Sequence, residues 1–362
     1  MSWVLAILGF TVLIVLHEAG HFVAAKSVGM RVERFFLFFP PKLVSIKRGE
    51  TEYGIGAIPA GGFVKITGMN PDEELPPEIA ARGYYHQPVW KRILVIGAGP
   101  AVNIALAFLI FFVLAFSASN ITSTVGQIDL GSPAAAHLKP GDRIMAVDGK
   151  RFPGVSTDTR LTRFGHIVAS HKCPGKQTEG CLAKTPVKLT IARNGHVHTL
   201  LITPRYDPVV GRTRIGFSYG STPANLSVTG AVRSAADDMW FVTSRTVSAI
   251  ARIFQPEQRK QVSGIVGTTD VTQQAIGFGA REALTLLAVV SLSLGLINLF
   301  PFLPLDGGHI FWSLVEKVRG SPVPFSVMER AGVVGFLLVI MLFVIGFTND
   351  IHRLTHGGFH VR

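Results

Sequence analysis

Long apolar runs recur along the chain, at Trp3–Ala25, Ile93–Ser119, Leu284–Leu305 and Ala331–Thr348. Each is near or above the roughly 18–20 apolar residues that a helix needs to cross a bilayer. Between them the pattern changes. Glu52–Ile66 reads as two short extended runs around a Pro-Gly turn. Val187–Ile202 alternates around Asn194–Gly195, a strong two-residue hairpin signal. Met69–Gly83 is an acidic, Pro-rich surface loop. Residues 231–274 begin as an amphipathic helix, with Met239, Trp240, Val242 and Val247 set against Arg233, Arg245 and Arg252. Trp240 and Phe241 suit a membrane interface; a linker helix packed on the soluble part is the plainer alternative. Val262–Gly267 follows. The pattern predicts a polytopic α-helical membrane protein with four transmembrane helices and one soluble α+β insert.

The first span contains three ionisable groups, in His17-Glu18-Ala19-Gly20-His21. Such groups are costly in hydrocarbon and mark a functional site. H-E-x-x-H on a helix sets two imidazoles on one face, about one turn apart, within reach of one zinc ion. Glu18 is then placed to take a proton from water. Two histidines do not close such a site. The best third ligand is Asp306, the first charge after the apolar run ending at Leu305, where Pro301 and Pro304 break the helix. His309, three residues on, is its rival.

Asn103 lies in the second span, where it either bonds a neighbouring helix or helps to hold the active site. His352 and His356 repeat the four-residue spacing but read as a solvated tail. His196 and His198 share a strand face and read as surface residues.

His17-Glu18-x-x-His21, Asn298-x-x-Pro301 and Leu305-Asp306-Gly307 together resemble the site-2 protease family of intramembrane zinc metalloproteases, and within it the bacterial RseP-like branch with a PDZ domain. Ile58–Lys65 and Gly99-Pro100-Ala101-Val102-Asn103 carry the resemblance too. Two departures stand out: Pro304 falls one residue later than the family spacing, and Phe38-Phe39-Pro40 stands where relatives often carry Gly. The resemblance implies that the Glu52–Ile66 block is a membrane-re-entrant β-hairpin beside the active site. Gly131–Ile144 and Val147-Asp148-Gly149 resemble a bacterial protease PDZ domain, and one such unit fits residues 125–219. The divisions expected are 1–119 (first membrane half), 120–220 (PDZ), 221–282 (amphipathic linker) and 283–362 (second membrane half).

Composition agrees with a membrane protein: 48% of the 362 residues are hydrophobic and 16% charged. The net charge of +12 carries no nucleic-acid motif with it. Nine basic residues between Arg31 and Arg92, against none in Met1-Ser2, orient the 26–92 loop to the cytoplasm. Both termini and the soluble insert then lie outside, in a bacterial inner or cell membrane. The first span lacks a basic leader and a cleavage site, so it reads as retained rather than as a signal peptide. Cys173 and Cys181, the only cysteines, fall in the outside segment and read as a disulfide. A C-x7-C metal half-site would lack acidic or His partners.

These observations converge on an intramembrane zinc endopeptidase with one Zn2+ per chain, held by His17, His21 and Asp306, with Glu18 as acid and base. Transmembrane protein substrates and membrane lipid are the expected partners, with a peptide or partner protein at the PDZ unit. Anti-sigma factors or remnant signal peptides are typical substrates where the resemblance holds. A helical substrate must unwind at the cut, so its freed backbone groups need partners. Tyr53–Ile58 is the edge strand expected to supply them, since Gly54 and Gly56 leave the backbone around Ile55 uncovered; Asn298 adds a side-chain hydrogen bond. The competing class is a catalytically inactive scaffold that binds partners through its PDZ unit.

Overall fold

The computed structural model describes residues 2–70, 73–208, 210–252, 255 and 279–356. It comprises two compact units, one of residues 1–115 with 228–361 and one of residues 116–227. Val262–Gly267 lies outside the described residues.

The first unit contains α1 (Ser2–Ser27), β1 (Val32–Arg48), β2 (Thr51–Ile66), the single turn α2 (Pro77–Ala80) and α3 (Val89–Ala115). Four of the unit's helical stretches are long and apolar enough to cross a membrane: Val4–Ser27, Val89–Ala115, Ala280–Asn298 and Ser326–His352. Three of the spans have limits that differ notably from those read in the sequence. The second span ends at Ala115, because Ser119 already opens a strand. The third stops at Asn298 rather than Leu305, because Pro301 and Pro304 cannot continue a helix although their neighbours are apolar. The fourth begins before Ala331 and runs past Thr348.

The strands β1 and β2 pair antiparallel, but each doubles back on itself. Phe35 pairs with both Val64 and Tyr53, and Tyr53 pairs in turn with Phe35 and Ile46. Four backbone segments therefore lie abreast, in the order 42–48, 51–56, 32–37 and 62–66. The fold-back of β1 passes through Phe38, whose φ of 70° is uncommon for a residue with a side chain. At the end of α1, Ala25, Met30 and Val32 pack with Ile66, Tyr84 and Val95, joining helix, sheet and α3 in one buried cluster. Beside it, Arg82 and Lys26 bond the Glu50 carboxyl and hold it down to about 2.

Beyond the insert, α5 (Val228–Ala251) sets Ala235, Met239 and Val242 against Ala107 and Phe111 of α3 and Ala288 and Leu292 of α6 (Ala280–Asn298). Trp240 and Phe241 face outward, exposed. Then come α7 (Asp306–Arg319) and α8 (Phe325–His356). Buried Arg92 of α3 makes a two-pronged contact with Glu316 of α7, at 2.9 and 2.5 Å. Removing one partner would leave a buried charge unpaired, so this pair fastens the helix that begins with Asp306.

The second unit is an α+β fold. Its sheet runs β6-β5-β4-β3-β9, from β3 (Ser119–Ile128), β4 (Arg143–Val147), β5 (Val187–Arg193), β6 (His196–Ile202) and β9 (Phe217–Pro223). The helix α4 (Thr157–Ser170) buries Leu161, Phe164 and Val168 in the core with Leu189 and Ile191. The turn between β5 and β6 is Asn194-Gly195, both with positive φ, as a two-residue hairpin demands. A second ribbon pairs β7 (Arg205–Asp207) with β8 (Arg212–Arg214). Arg193 hydrogen-bonds Asp142 and holds its carboxyl below the usual range. Cys173 and Cys181 are bridged, with Cα atoms 6.2 Å apart.

Candidate metal centre

One side of α1 sets His17 and His21 against Asn103 and Gly99 of α3, and the backbones meet closely there. A Cβ on Gly20 would stand 2.7 Å from the Ala98 carbonyl oxygen, and one on Gly99 only 2.3 Å from His21 Nε2. Glycine at both places is what lets the histidine-bearing face sit this deep. The third residue arrives from the loop after α6: the chain leaves the helix at Asn298, passes a cis Leu303–Pro304 bond and starts α7 with Asp306.

Three donor atoms converge. Nε2 of His17 and Nε2 of His21 are 3.3 Å apart, and Oδ2 of Asp306 lies 3.2 Å from the first and 3.4 Å from the second. Three ligands on a tetrahedral zinc, each at about 2.0–2.1 Å, would be separated by roughly 3.3–3.4 Å. The triangle therefore has the size of one face of such a site. Its chemistry fits as well. The Nδ1–H of His21 donates to the Val95 carbonyl at 2.9 Å, which leaves Nε2 bare and aimed inward. Oδ2 of Asp306 is buried with no hydrogen-bond partner among the described residues, an unsatisfied state that a cation relieves. His17, His21 and Asp306 are also the one His/Cys/Asp/Glu cluster of metal-binding geometry among the described residues. His309 lines the same cavity, of roughly 580 Å³, outside that triangle.

A model of peptidase family M50 matches residues 5–342. The chain belongs to peptidase family M50. A Clostridium perfringens protein named as a zinc metalloprotease is 32% identical over 354 residues, 97% of this chain and 98% of its own. A similarly named protein of Clostridium acetobutylicum is 30% identical, covering 96% of both chains. The zinc metalloprotease Rip1 of Mycobacterium tuberculosis is 29% identical over 398 residues, 96% of each. With its apolar helices, this M50 peptidase is a multi-pass membrane protein.

Glu18 of this M50 chain lines the cavity without joining the triangle. Asn298 lines the cavity as well, and so do Gly61, Gly62, Phe63 and Val64. Gly54, Ile55 and Gly56 do not. Gly54 already pairs with Phe36 and Ser45, and Ile55 with Leu37 and Val44, so both edges of that segment are occupied. A Cβ on Gly56 would meet the Phe39 carbonyl oxygen at 2.2 Å, so that glycine serves packing inside the sheet. Of the two outer segments, 62–66, paired only to 32–37, is the one whose residues line the cavity. Alternate residues of a strand turn their N–H and C=O to the same side, so Gly62 and Val64 share one edge, and a Cβ on Gly62 would stand 2.9 Å from Glu18 Cγ.

Two supporting residues stand outside the set of site residues expected from the sequence, although Asn103 is weighed there as a support of the active site. Gly99 gives His21 its room, and Asn103 lies with its amide 3.2 Å from His17 Nδ1. Both belong to the Gly99–Asn103 block, whose polar and small residues in an apolar span were the available signal.

Proposed function

We propose that the protein is an intramembrane zinc endopeptidase that cuts single-span membrane proteins. The observation that carries this reading is a ligand triangle of zinc dimensions, built half on a membrane-length helix, with a carboxylate beside it. A zinc ion there would supply Lewis acidity toward water and toward the scissile carbonyl. Glu18 removes the proton from the attacking water, holds it on its carboxylate and delivers it to the departing amine nitrogen. The substrate lies extended along Gly62–Val64, whose free backbone edge completes a hydrogen-bond ladder with it. Asn298 reaches the same cavity and binds the unwound segment. The scaffold alternative is disfavoured, since it requires neither Glu18 nor a complete triangle.

Purified protein should cut a model transmembrane peptide, stop when the metal is chelated and resume with added zinc. Asp306→Ala should lose the metal, and His309→Ala should keep it; the opposite pair of results would reassign the third ligand. As a second arm, N-methylating a substrate amide beside the cut should slow cleavage by about tenfold, the scale of one lost hydrogen bond. An unchanged rate would remove the strand from the substrate's path.

The soluble unit is read as an extracytoplasmic PDZ domain that takes a peptide or partner protein, with the 26–92 loop cytoplasmic. Anti-sigma factors and remnant signal peptides are the substrate class that suits this arrangement. A membrane-impermeant thiol reagent added outside intact cells should reach Cys173 and Cys181 only after reduction. Labelling confined to the cytosolic side would reverse the orientation.

A further inference from the structure

We propose that Asn103 is a positioning residue that supports His17 as a zinc ligand, its amide oxygen accepting from His17 Nδ1–H, and thereby strengthens zinc binding. The inference rests on His17 being a metal ligand. Asn103 sits on α3, fully buried, with Nδ2 3.2 Å from His17 Nδ1 and with Oδ1 lacking any partner among the described residues. Its backbone is held in place from the other side, because the Ser291 hydroxyl of α6 donates to the Asn103 carbonyl at 2.8 Å.

A neutral imidazole carries one N–H. When Nε2 of His17 gives its lone pair to a metal, that proton belongs to Nδ1, and Nδ1 must then donate. An amide NH2 opposite it would set two donors face to face. The two ends of an Asn side chain have nearly the same shape, and a half-turn about χ2 exchanges them. With metal bound, the amide oxygen faces Nδ1–H, and the unpaired Oδ1 gains its partner. With Nε2 protonated and facing Asp306, the amide nitrogen donates to a bare Nδ1 instead. Asn103 can therefore serve His17 in either tautomer, whereas the Val95 carbonyl serves His21 in one alone. The supports of the two histidines are unlike: a fixed backbone acceptor for one, a rotatable amide for the other.

The test measures zinc affinity by chelator competition on the full chain in detergent. Asn103→Leu keeps the volume and removes the acceptor, and is expected to weaken zinc binding by about 10–100-fold. Asn103→Asp keeps an acceptor oxygen in place and is expected to bind within about threefold of wild type. Thermal unfolding verifies that each variant is folded; if the Leu variant is not, Asn103→Ala takes its place with the same expected loss. A packing role predicts the opposite order, with Leu benign and Asp harmful. Zinc binding that is unchanged in Asn103→Leu, or as weak in Asn103→Asp as in the Leu variant, overturns the proposal. Wild-type protein that takes up no zinc would overturn the metal reading along with it, so the two failures are told apart.

Discussion

Glu18→Gln protein is expected to bind zinc like the wild type and to cleave a transmembrane peptide about 1,000-fold more slowly, within the range for a lost general acid–base group. The substitution changes one atom. Gln keeps the length and shape of Glu18 and takes its place in the cavity wall, so the cavity keeps its form. What disappears is the ability to hold a proton between water and the leaving nitrogen. Zinc content by elemental analysis, read beside the cleavage rate, separates the roles. Loss of metal in the variant would make Glu18 a ligand. A rate within tenfold of wild type would move the base elsewhere.

Gly99→Ala is expected to lower zinc affinity on the order of 100-fold, as displacement of a well-supported ligand should. The added methyl would lie 2.3 Å from His21 Nε2, 2.6 Å from Cε1 and 2.8 Å from Cδ2. The ring has nowhere to retreat while its Nδ1–H is bonded to the Val95 carbonyl. Nor can the helices part cheaply, because α1 meets α3 equally closely at Gly20. Gly97→Ala is the matched control: a methyl there would have Ile310 Cδ1 at 3.9 Å as its neighbour, an ordinary contact. If both alanine variants bind zinc as wild type does, close helix packing is not what seats His21.

The parts legible in the sequence were those encoded by local spacing. His17 and His21 announce themselves because four residues is one helical turn, and Asp306 because a charge ends an apolar run. The apolar run extends to Leu305 but the helix ends at Asn298, since hydropathy does not register the break that Pro301 and Pro304 impose. Which edge of the sheet is free was not legible for a different reason. Glycines at 54 and 56 suggest bare backbone, but whether an edge is free depends on how β1 and β2 fold back, through Phe38 and around residue 60. That is a question of register between distant segments, which no single window of residues contains. Asn103 was visible as a polar residue in an apolar span. Its choice of partner, 86 positions away, was not.

Asp306 follows His21 by 285 positions, since 306 minus 21 is 285, and the intervening chain includes the whole second unit. A ribosome feeding this chain into a membrane delivers the two histidines and Glu18 early, among other nascent proteins and with no carboxylate to close the triangle. Two ligands do not make a zinc site. Under the proposed ligand set, the site is completed only when Asp306 emerges, late in synthesis and after the whole β1–β2 sheet has been made.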